Sequence, residues 1–338
     1  MAKERRRSLA AEIGDLSTDD HHKNVVRSLN DKVKQLEAII AQQHEHIDRM
    51  HDAKFVIPRG RATKAKGSFY RVAIPDTHGA RCDKGAVAAM LADIEVLQPA
   101  EIVLLGDHLD CGGFLAQHWT LGYVAETDYT FEEDVTATNV LLDRIQAACP
   151  KAALHYLEGN HEFRIEKWCV TMALKNATDS KFLLGHISPA VVLNLEKRGI
   201  PYYAKSKSFH DLAIRGTIKL GKCYFTHGER TGQRATHSTL RDFGGCIVHG
   251  HTHTVAFSSD VTVRDGVIGA WSPGCLAQLR PYWNHTRVND WSHGYGLQLV
   301  RPDGGFLHVN VPIIDGKSYL VQLAEPSRGK PSSNKVSR

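Results

Sequence analysis

From residue 69 onward, short apolar runs alternate with segments of helical period. Residues 69–76, 100–107 and 152–159 each run apolar and then stop at a polar cluster. Between them, residues 84–97 and 131–148 repeat apolar positions at the spacing of a helix face. Strand, helix, strand at this spacing predicts βαβ units and a substantially parallel core. Residues 222–226, 245–249, 266–271, 294–300 and 306–311 read as further strands with few helices between them, so the second half is richer in β structure. No internal repeat is present.

Before this region the period changes. Val26, Leu29, Val33, Leu36, Ile40, Gln43, Ile47 and Met50 fall on successive a and d positions of a heptad, with Gln43 the one polar member. The a positions are β-branched and the d positions open with leucine, a choice that favours two parallel strands. Fewer than four heptads are equally compatible with a single amphipathic helix, so a homodimer through 24–51 and a lone helix both stand. The expected organisation is a basic flexible N-terminus (1–23), this helix (24–51), a basic linker (52–67), one large domain (68–315) and a basic, disordered tail (316–338). Within it, residues 58–67 hold Arg59, Arg61, Lys64 and Lys66 without an acid.

Composition narrows the classes. The chain has 338 residues, 42% hydrophobic and 23% charged, as in soluble globular proteins. No run approaches the roughly 20 apolar residues that span a bilayer, so no membrane role is expected. The start is basic but lacks the apolar core of a signal peptide. Seven cysteines, an odd number without CxxC pairs, fit reduced thiols in a cytoplasmic protein. The net charge of +5 is unevenly spread, with a mildly acidic middle between two basic ends. Such ends suit solvated tails or contact with a polyanion.

Five polar clusters close the predicted strands: Asp76-Thr77-His78, Gly106-Asp107-His108-Leu109-Asp110, Gly159-Asn160-His161-Glu162, His227-Gly228 and Gly250-His251-Thr252-His253. Ligands gather at the carboxyl ends of strands in open α/β sheets. Asp, His and Asn are ligand types for divalent metals. One such cluster would mean a turn or a cap; five in succession argue for a metal site. No cysteine joins them, which excludes a zinc finger.

In these motifs, D-x-H, G-D-x-x-D, G-N-H-[DE], H and G-H-x-H in that order, the chain resembles the calcineurin-like metallophosphoesterases over residues 68–310. The resemblance implies a four-layer α-β-β-α sandwich with two divalent metal ions, manganese first and iron or zinc next. It implies that Asp76, His78, Asp107 and His253 hold one metal, and that Asp107, Asn160, His227 and His251 hold the other. It further implies a metal-bridging hydroxide as nucleophile, His161 as general acid for the leaving oxygen, and Asp110 as the carboxylate orienting His161. Glu162 and Arg164 are candidates for supporting or phosphate-facing roles. His108, His118, His155 and His249 are read as ordinary strand-end or surface residues.

Two departures bear on substrate. The protein serine/threonine phosphatase branch carries arginines where this chain has Cys111 and Glu158, and those guanidiniums clamp a phosphomonoester dianion. A diester carries one charge and needs less clamping, so a phosphodiesterase acting on DNA, RNA or a nucleotide is expected. The segment 291–295, with 274–276 and 281–283, is similar to compact bacteriophage and prophage members. The alternatives are a small-molecule phosphomonoesterase, or a coiled-coil nucleic-acid-binding module whose metal site is vestigial.

Overall fold

The computed structural model describes residues 20–52, 57–59, 67–115, 129–205, 214–281, 288–318 and 320. They fall into two units, the first ending at Val56 and the second beginning at Ile57. The first is helix α1 (Asp20–Asp52), slightly longer than the heptad pattern, with side chains described at 25–42. Along its seam Val26 and Val33 are half-buried, while Leu29, Leu36 and Ile40 are 44, 58 and 51% exposed.

The second unit holds two sheets. The larger contains β1 (Phe69–Ile74), β2 (Glu101–Leu104), β3 (Ala153–Leu157), β4 (Tyr202–Tyr203), β10 (Gly294–Val300), β11 (Phe306–Ile314) and β12 (Lys317–Ser318), in the order β12-β11-β10-β1-β2-β3-β4. Strands β1 to β4 run parallel, and β10 to β12 extend the sheet antiparallel from β1. The smaller contains β5 (Thr217–Leu220), β6 (Cys223–Thr226), β7 (Ile247–His249), β8 (Val255–Thr262) and β9 (Gly266–Pro273), in the order β5-β6-β7-β9-β8.

Burial sorts the apolar side chains into layers. Val72, Ile74, Ile102, Leu104 and Leu154 on one face of the larger sheet pack with α2 (Lys84–Leu97), α3 (Phe131–Ala148) and α4 (Phe163–Met172). Ala73, Val103, Leu105 and Leu157 on its other face meet Ile218, Leu220, Phe225 and Val248 of the smaller sheet. On the far side of that sheet, Leu240 of α7 (Ala235–Phe243) packs on Ile247, Ile268 and Ala270. Between α4 and α7 lie α5 (Ala177–Ile187) and the single turn α6 (Pro189–Val192). The layering is α-β-β-α, as expected from the sequence.

Local chemistry fixes the two predicted helices. Asp83 accepts from Ala86 N at 2.8 Å to cap α2. Thr130 and Glu133 form a capping box that starts α3. Between the sheets, Arg71 and Glu101 are buried as a pair, with Arg71 Nε donating to Glu101 Oε2 at 2.6 Å and Nη1 to Gln298 Oε1 at 2.9 Å. They lock β1 to both its neighbours, because a charge buried here without its partner would be costly.

Two boundaries differ from expectation. The sheet continues past 315, where Asp315 (φ 49°) and Gly316 (φ 68°) turn the chain so that β12 pairs with β11. Asp-Gly with both residues left-handed is the tight hairpin turn that matches strand twist. In the linker, Pro58 O accepts from Lys219 N at 3.0 Å and Arg59 pairs with Lys219, so the chain is already part of a sheet edge there. The rest of the expected tail, 321–338, and most of 1–23 lie outside the described residues, as does His118. No described helix is long and apolar enough to cross a membrane.

Candidate metal centre

The strands β1, β2, β3, β6 and β7 end at one pole of the sandwich, and the five polar clusters follow them. The backbone there is tight. Gly106 has φ 97°, and a Cβ on it would lie 2.7 Å from Gly159 N. A Cβ on Gly159 would meet Asp107 Oδ1 at 2.0 Å. Both glycines let the loops after β2 and β3 come into contact. Thr77 N and His78 N donate to Asp107 O at 3.2 and 2.9 Å, which ties the loop after β1 to the same place.

Two groups of side chains result. Asp76, His78 and His253 offer ligand atoms to one point, and Asp107, His227 and His251 offer theirs to another. Asn160 joins the second group, its Oδ1 lying 2.9 Å from His227 Nε2. All seven residues expected as ligands are therefore at this pole. Asp107 groups with His227, at 3.2 Å, while its field also reaches Asp76 and His78.

Proton inventory shows what the groups can hold. His227 Nδ1 lies 3.1 Å from Leu105 O, so it carries a hydrogen and Nε2 is the nitrogen turned to the cluster; burial opposes its protonation, but Asp107 and Asp76 raise its pKa. That nitrogen faces Asp107 Oδ2 and Asn160 Oδ1, three acceptors that require a proton or a cation between them. Likewise His78 Nδ1 donates to Asp110 Oδ1 at 2.7 Å, leaving its Nε2 bare and 3.1 Å from His253 Nε2. Histidines anchored through one nitrogen by a carboxylate or carbonyl are the pattern of metal ligands.

Charge agrees with this reading. Burial works against ionising Asp76, yet His227 and His253 hold its carboxyl well below the usual range. Burial opposes ionised Asp107 as well, and His227 and His161 overcome it. In contrast, burial pushes His251 down to about 4 and lowers His253. Two buried anions and two neutral imidazoles make a donor set that fits divalent cations, since ligands bind in their deprotonated forms.

Asp110 has more partners than the sequence indicates. Its Oδ1 accepts from His78 Nδ1 and also lies 3.1 Å from His161 Nδ1, whose closer partner is Asp110 O at 2.7 Å. Asp110 thus orients a candidate ligand and the candidate acid together. His161 Nε2 lies 3.8 Å from Asp107 Oδ2 and 3.0 Å from Arg164 Nη2. Burial lowers its pKa, but Asp107 and Asp110 raise it to about 9. A protonated Nε2 cannot accept from a guanidinium, so in this arrangement the geometry prevails: the proton sits on Nδ1 and Arg164 donates to Nε2.

Glu162, undecided in the sequence, is a buttress. Its Oε2 accepts from Asp107 N (2.9 Å) and Gly159 N (3.0 Å). Its Oε1 accepts from His108 N (2.7 Å), Leu109 N (3.1 Å) and Tyr156 Oη (2.8 Å). Burial and Asp107 raise its pKa to about 7. Every neighbour donates, however, so nothing is placed to take a carboxyl proton and the hydrogen bonds hold the ionised form. Sequence reasoning missed Asp134, which accepts from Cys111 N at 2.7 Å and Ala80 N at 3.4 Å and steadies the Asp110 loop from α3. Its position in the first turn of a helix masks this role.

The other histidines are supports. Buried His108 contacts Thr77 Oγ1 at 3.0 Å, and His249 contacts Thr236 Oγ1 at 3.2 Å. His155 Nδ1 lies 3.2 Å from Tyr203 Oη. Cys111 is fully buried. Glu158 turns away from the metal groups to accept from Tyr202 Oη at 2.8 Å and from Lys205 N.

No family model matches this chain, and no curated protein matches it. Among solved structures it is similar to Vacuolar Protein Sorting 29 from Cryptosporidium parvum, at 12% identity and a TM-score of 0.39, over 75% of this chain and 95% of that one. It is also similar to YfcE, a phosphoesterase from E. coli, at 18% identity and a TM-score of 0.32, over 71% of this chain and 98% of that one. At TM-scores below 0.5 such likeness is too slight to assign chemistry.

Glu162→Gln should loosen the site without touching a ligand. A carboxamide nitrogen would face two or three donors, each left unsatisfied at a cost of about 1–3 kcal/mol. The expected outcome in urea unfolding is a loss of at least several kcal/mol, with weakened manganese binding in calorimetry. Unchanged stability and metal affinity would contradict the buttress.

Proposed function

We propose that this chain is a dinuclear metal-dependent phosphoester hydrolase of the calcineurin-like metallophosphoesterase type, acting on phosphodiesters of nucleic acid or nucleotide. The observation that carries the proposal is the convergence of imidazole nitrogens and buried carboxylates in two adjacent groups, with a histidine anchored by Asp110 beside them. Asp76, His78, Asp107 and His253 would hold one ion, and Asp107, Asn160, His227 and His251 the other, with manganese first and iron or zinc as alternatives. When bound, such ions acidify water and neutralise phosphate oxygens.

The chain's own residues supply the rest. Asp110 fixes His161 through Nδ1, so that Nε2 points toward the reacting centre and can give a proton to the leaving oxygen. Arg164, which also donates to Asp110 O at 3.2 Å, is the guanidinium beside that nitrogen. A substrate phosphate drawing Arg164 onto itself would free Nε2 for the acid role. One guanidinium matches the single charge of a diester better than the two of a monoester.

A panel of bis-p-nitrophenyl phosphate, p-nitrophenyl phosphate, DNA and RNA with added Mn²⁺ tests the reading. Turnover of the diester above the monoester is expected; hydrolysis of none of them would overturn it. Asp107→Asn should lose activity and most bound metal together, measured by elemental analysis. His161→Ala should keep its metal yet slow by roughly 10²–10⁴-fold on substrates with poor leaving groups. The loss should shrink for a p-nitrophenolate leaving group, which departs without a proton. Equal losses on both would remove the acid assignment.

We also propose that α1 pairs two chains through its exposed seam. Leu36→Lys with Ile40→Lys would place charges where desolvation is costly. Sedimentation should then show a full-length dimer and a monomeric variant of unchanged metal content. A monomeric wild type at micromolar concentration would exclude the pairing.

A further inference from the structure

His161 is held from two directions, and both supports continue into aromatic side chains. One is the loop after β2, where Asp110 O takes the hydrogen of His161 Nδ1 at 2.7 Å. The other is α4, where Arg164 donates to His161 Nε2 at 3.0 Å and to Asp110 O at 3.2 Å. A group that leaves past the candidate acid therefore crosses what these two segments expose.

Beyond Asp110 the loop tightens into the single 3-10 turn Gly113–Leu115, which sets out Phe114. Gly113 permits the close approach: its φ is 60°, and a Cβ there would lie 2.9 Å from Phe131 N. On α4, Trp168 stands one turn from Arg164, about 6 Å along the axis. Their i, i+4 spacing puts both on one flank of the helix. The two segments meet through their rings. Phe114 and Trp168 have centroids 5.1 Å apart at 62°, and Phe114 and Phe131 have theirs 5.4 Å apart at 73°. Two steep ring contacts fix the orientation of Phe114, yet it is 57% exposed, while Trp168 and Phe131 are half-buried. Its neighbour Leu115 is the residue of this turn that enters the core. Phe114 is thus a rigid aromatic surface beside the candidate acid, not a piece of the core.

Charge on this flank is positive. Arg164 and Lys167 are interleaved with Phe163 and Trp168 on α4. Lys167 Nζ lies 5.2 Å from the centre of the Phe163 ring and has no carboxylate partner among the described residues. Glu166, the one acid of this helix, lies on the opposite flank, where its charge reaches Glu158.

We propose that Phe114 and Trp168 form a stacking subsite for a nucleobase of single-stranded nucleic acid, on the side from which the leaving nucleotide departs, with Lys167 beside the backbone of that strand. The subsite rests on the phosphodiester reading above and narrows the substrate to a strand with unpaired bases. Aromatic side chains stack on any base, and cations set among them follow the phosphates. In a duplex the base faces are covered by their neighbours. A protein ligand would use Phe114 only as apolar surface, which the experiment separates from stacking.

The full-length protein with added Mn²⁺ is titrated with phosphorothioate hexathymidylate and with the same backbone carrying abasic residues, read by tryptophan fluorescence and by anisotropy of the labelled strand. The thymidylate should bind tighter by roughly 5- to 100-fold, the span of one base–aromatic stack, and should quench the emission. Phe114→Leu, apolar but without a ring, should remove most of that ratio, and Phe114→Tyr should keep it. Trp168→Phe should keep most of the ratio and lose the quenching. Lys167→Gln should weaken both strands alike and flatten the salt dependence of log K by about 0.7. If a thermal melt shows Phe114→Leu unfolded, the wild-type ratio and the quenching in Trp168→Phe carry the test. In turnover, a dithymidine phosphodiester made abasic on its leaving side should lose kcat/KM by a similar factor, and Phe114→Leu should erase that loss. No dependence on Phe114 should attach to the retained side. Equal binding of the two strands, a ratio that survives Phe114→Leu, the full ratio in a duplex, or a dependence on Phe114 at the retained nucleoside would each overturn the proposal. If no ester of the panel above is hydrolysed while the binding ratio still depends on Phe114, the reaction reading falls and the stacking subsite stands.

Discussion

A single buried carboxylate, Glu162, gathers four backbone N–H groups from the loops after β2 and β3 and the hydroxyl of Tyr156 on β3. Those donors would otherwise be buried without partners, a cost of about 1–3 kcal/mol each. Their convergence on one side chain dictates the path of residues 107–109. That path sets where Asp107 sits, and Asp107 in turn accepts from His161 N at 2.8 Å through Oδ1 while Oδ2 faces His227. Metal group, candidate acid and loop geometry therefore share one anchor.

The same loops carry unusual backbone. His78, Asp107, His251 and His253 all have positive φ, between 51° and 70°. Non-glycine residues in this region cost of order 1–3 kcal/mol each and persist only where surrounding contacts fix them. Here the contacts are visible: Asp107 O receives two amide hydrogens from the loop after β1, and Asp76 receives His251 N at 3.1 Å. The candidate ligand side chains are aimed by strained peptides that neighbouring strands hold in place. Such an arrangement is held by contacts that need no ion, which would lower the ordering cost of binding one.

Much of this was legible in the sequence, for physical reasons that differ by element. Helices α2 and α3 were readable to their ends because Asp83 and Thr130 cap them where the apolar period starts. Strands β1, β2 and β3 were readable because their buried runs end at charged clusters. Helix α4 was not, because it follows directly from the Asn160-His161-Glu162 cluster without a side-chain cap. Strand β8 sits at a sheet edge with mostly exposed or half-buried side chains, so its apolar signal is faint. In the site, residue types announced the seven candidate ligands, whereas the double duty of Asp110 and the support from Asp134 depend on contacts between distant segments. Neither leaves a local pattern.

The surroundings of the metal groups also bear on charge. Cys111 is packed behind the Asp110 loop, and Glu158 spends its oxygens on Tyr202 and Lys205, so neither position presents a cation to a phosphate. Arg164 remains, tethered at 3.0 Å to the very nitrogen proposed to donate a proton. A dianion would gain from two guanidiniums at once, as bidentate clamps do. With one guanidinium engaged by His161, the electrostatic gain on binding falls more for a dianion than for a monoanion. The proposed discrimination would arise from what the protein has walled off, and it would couple substrate charge to the protonation of His161 through a single side chain.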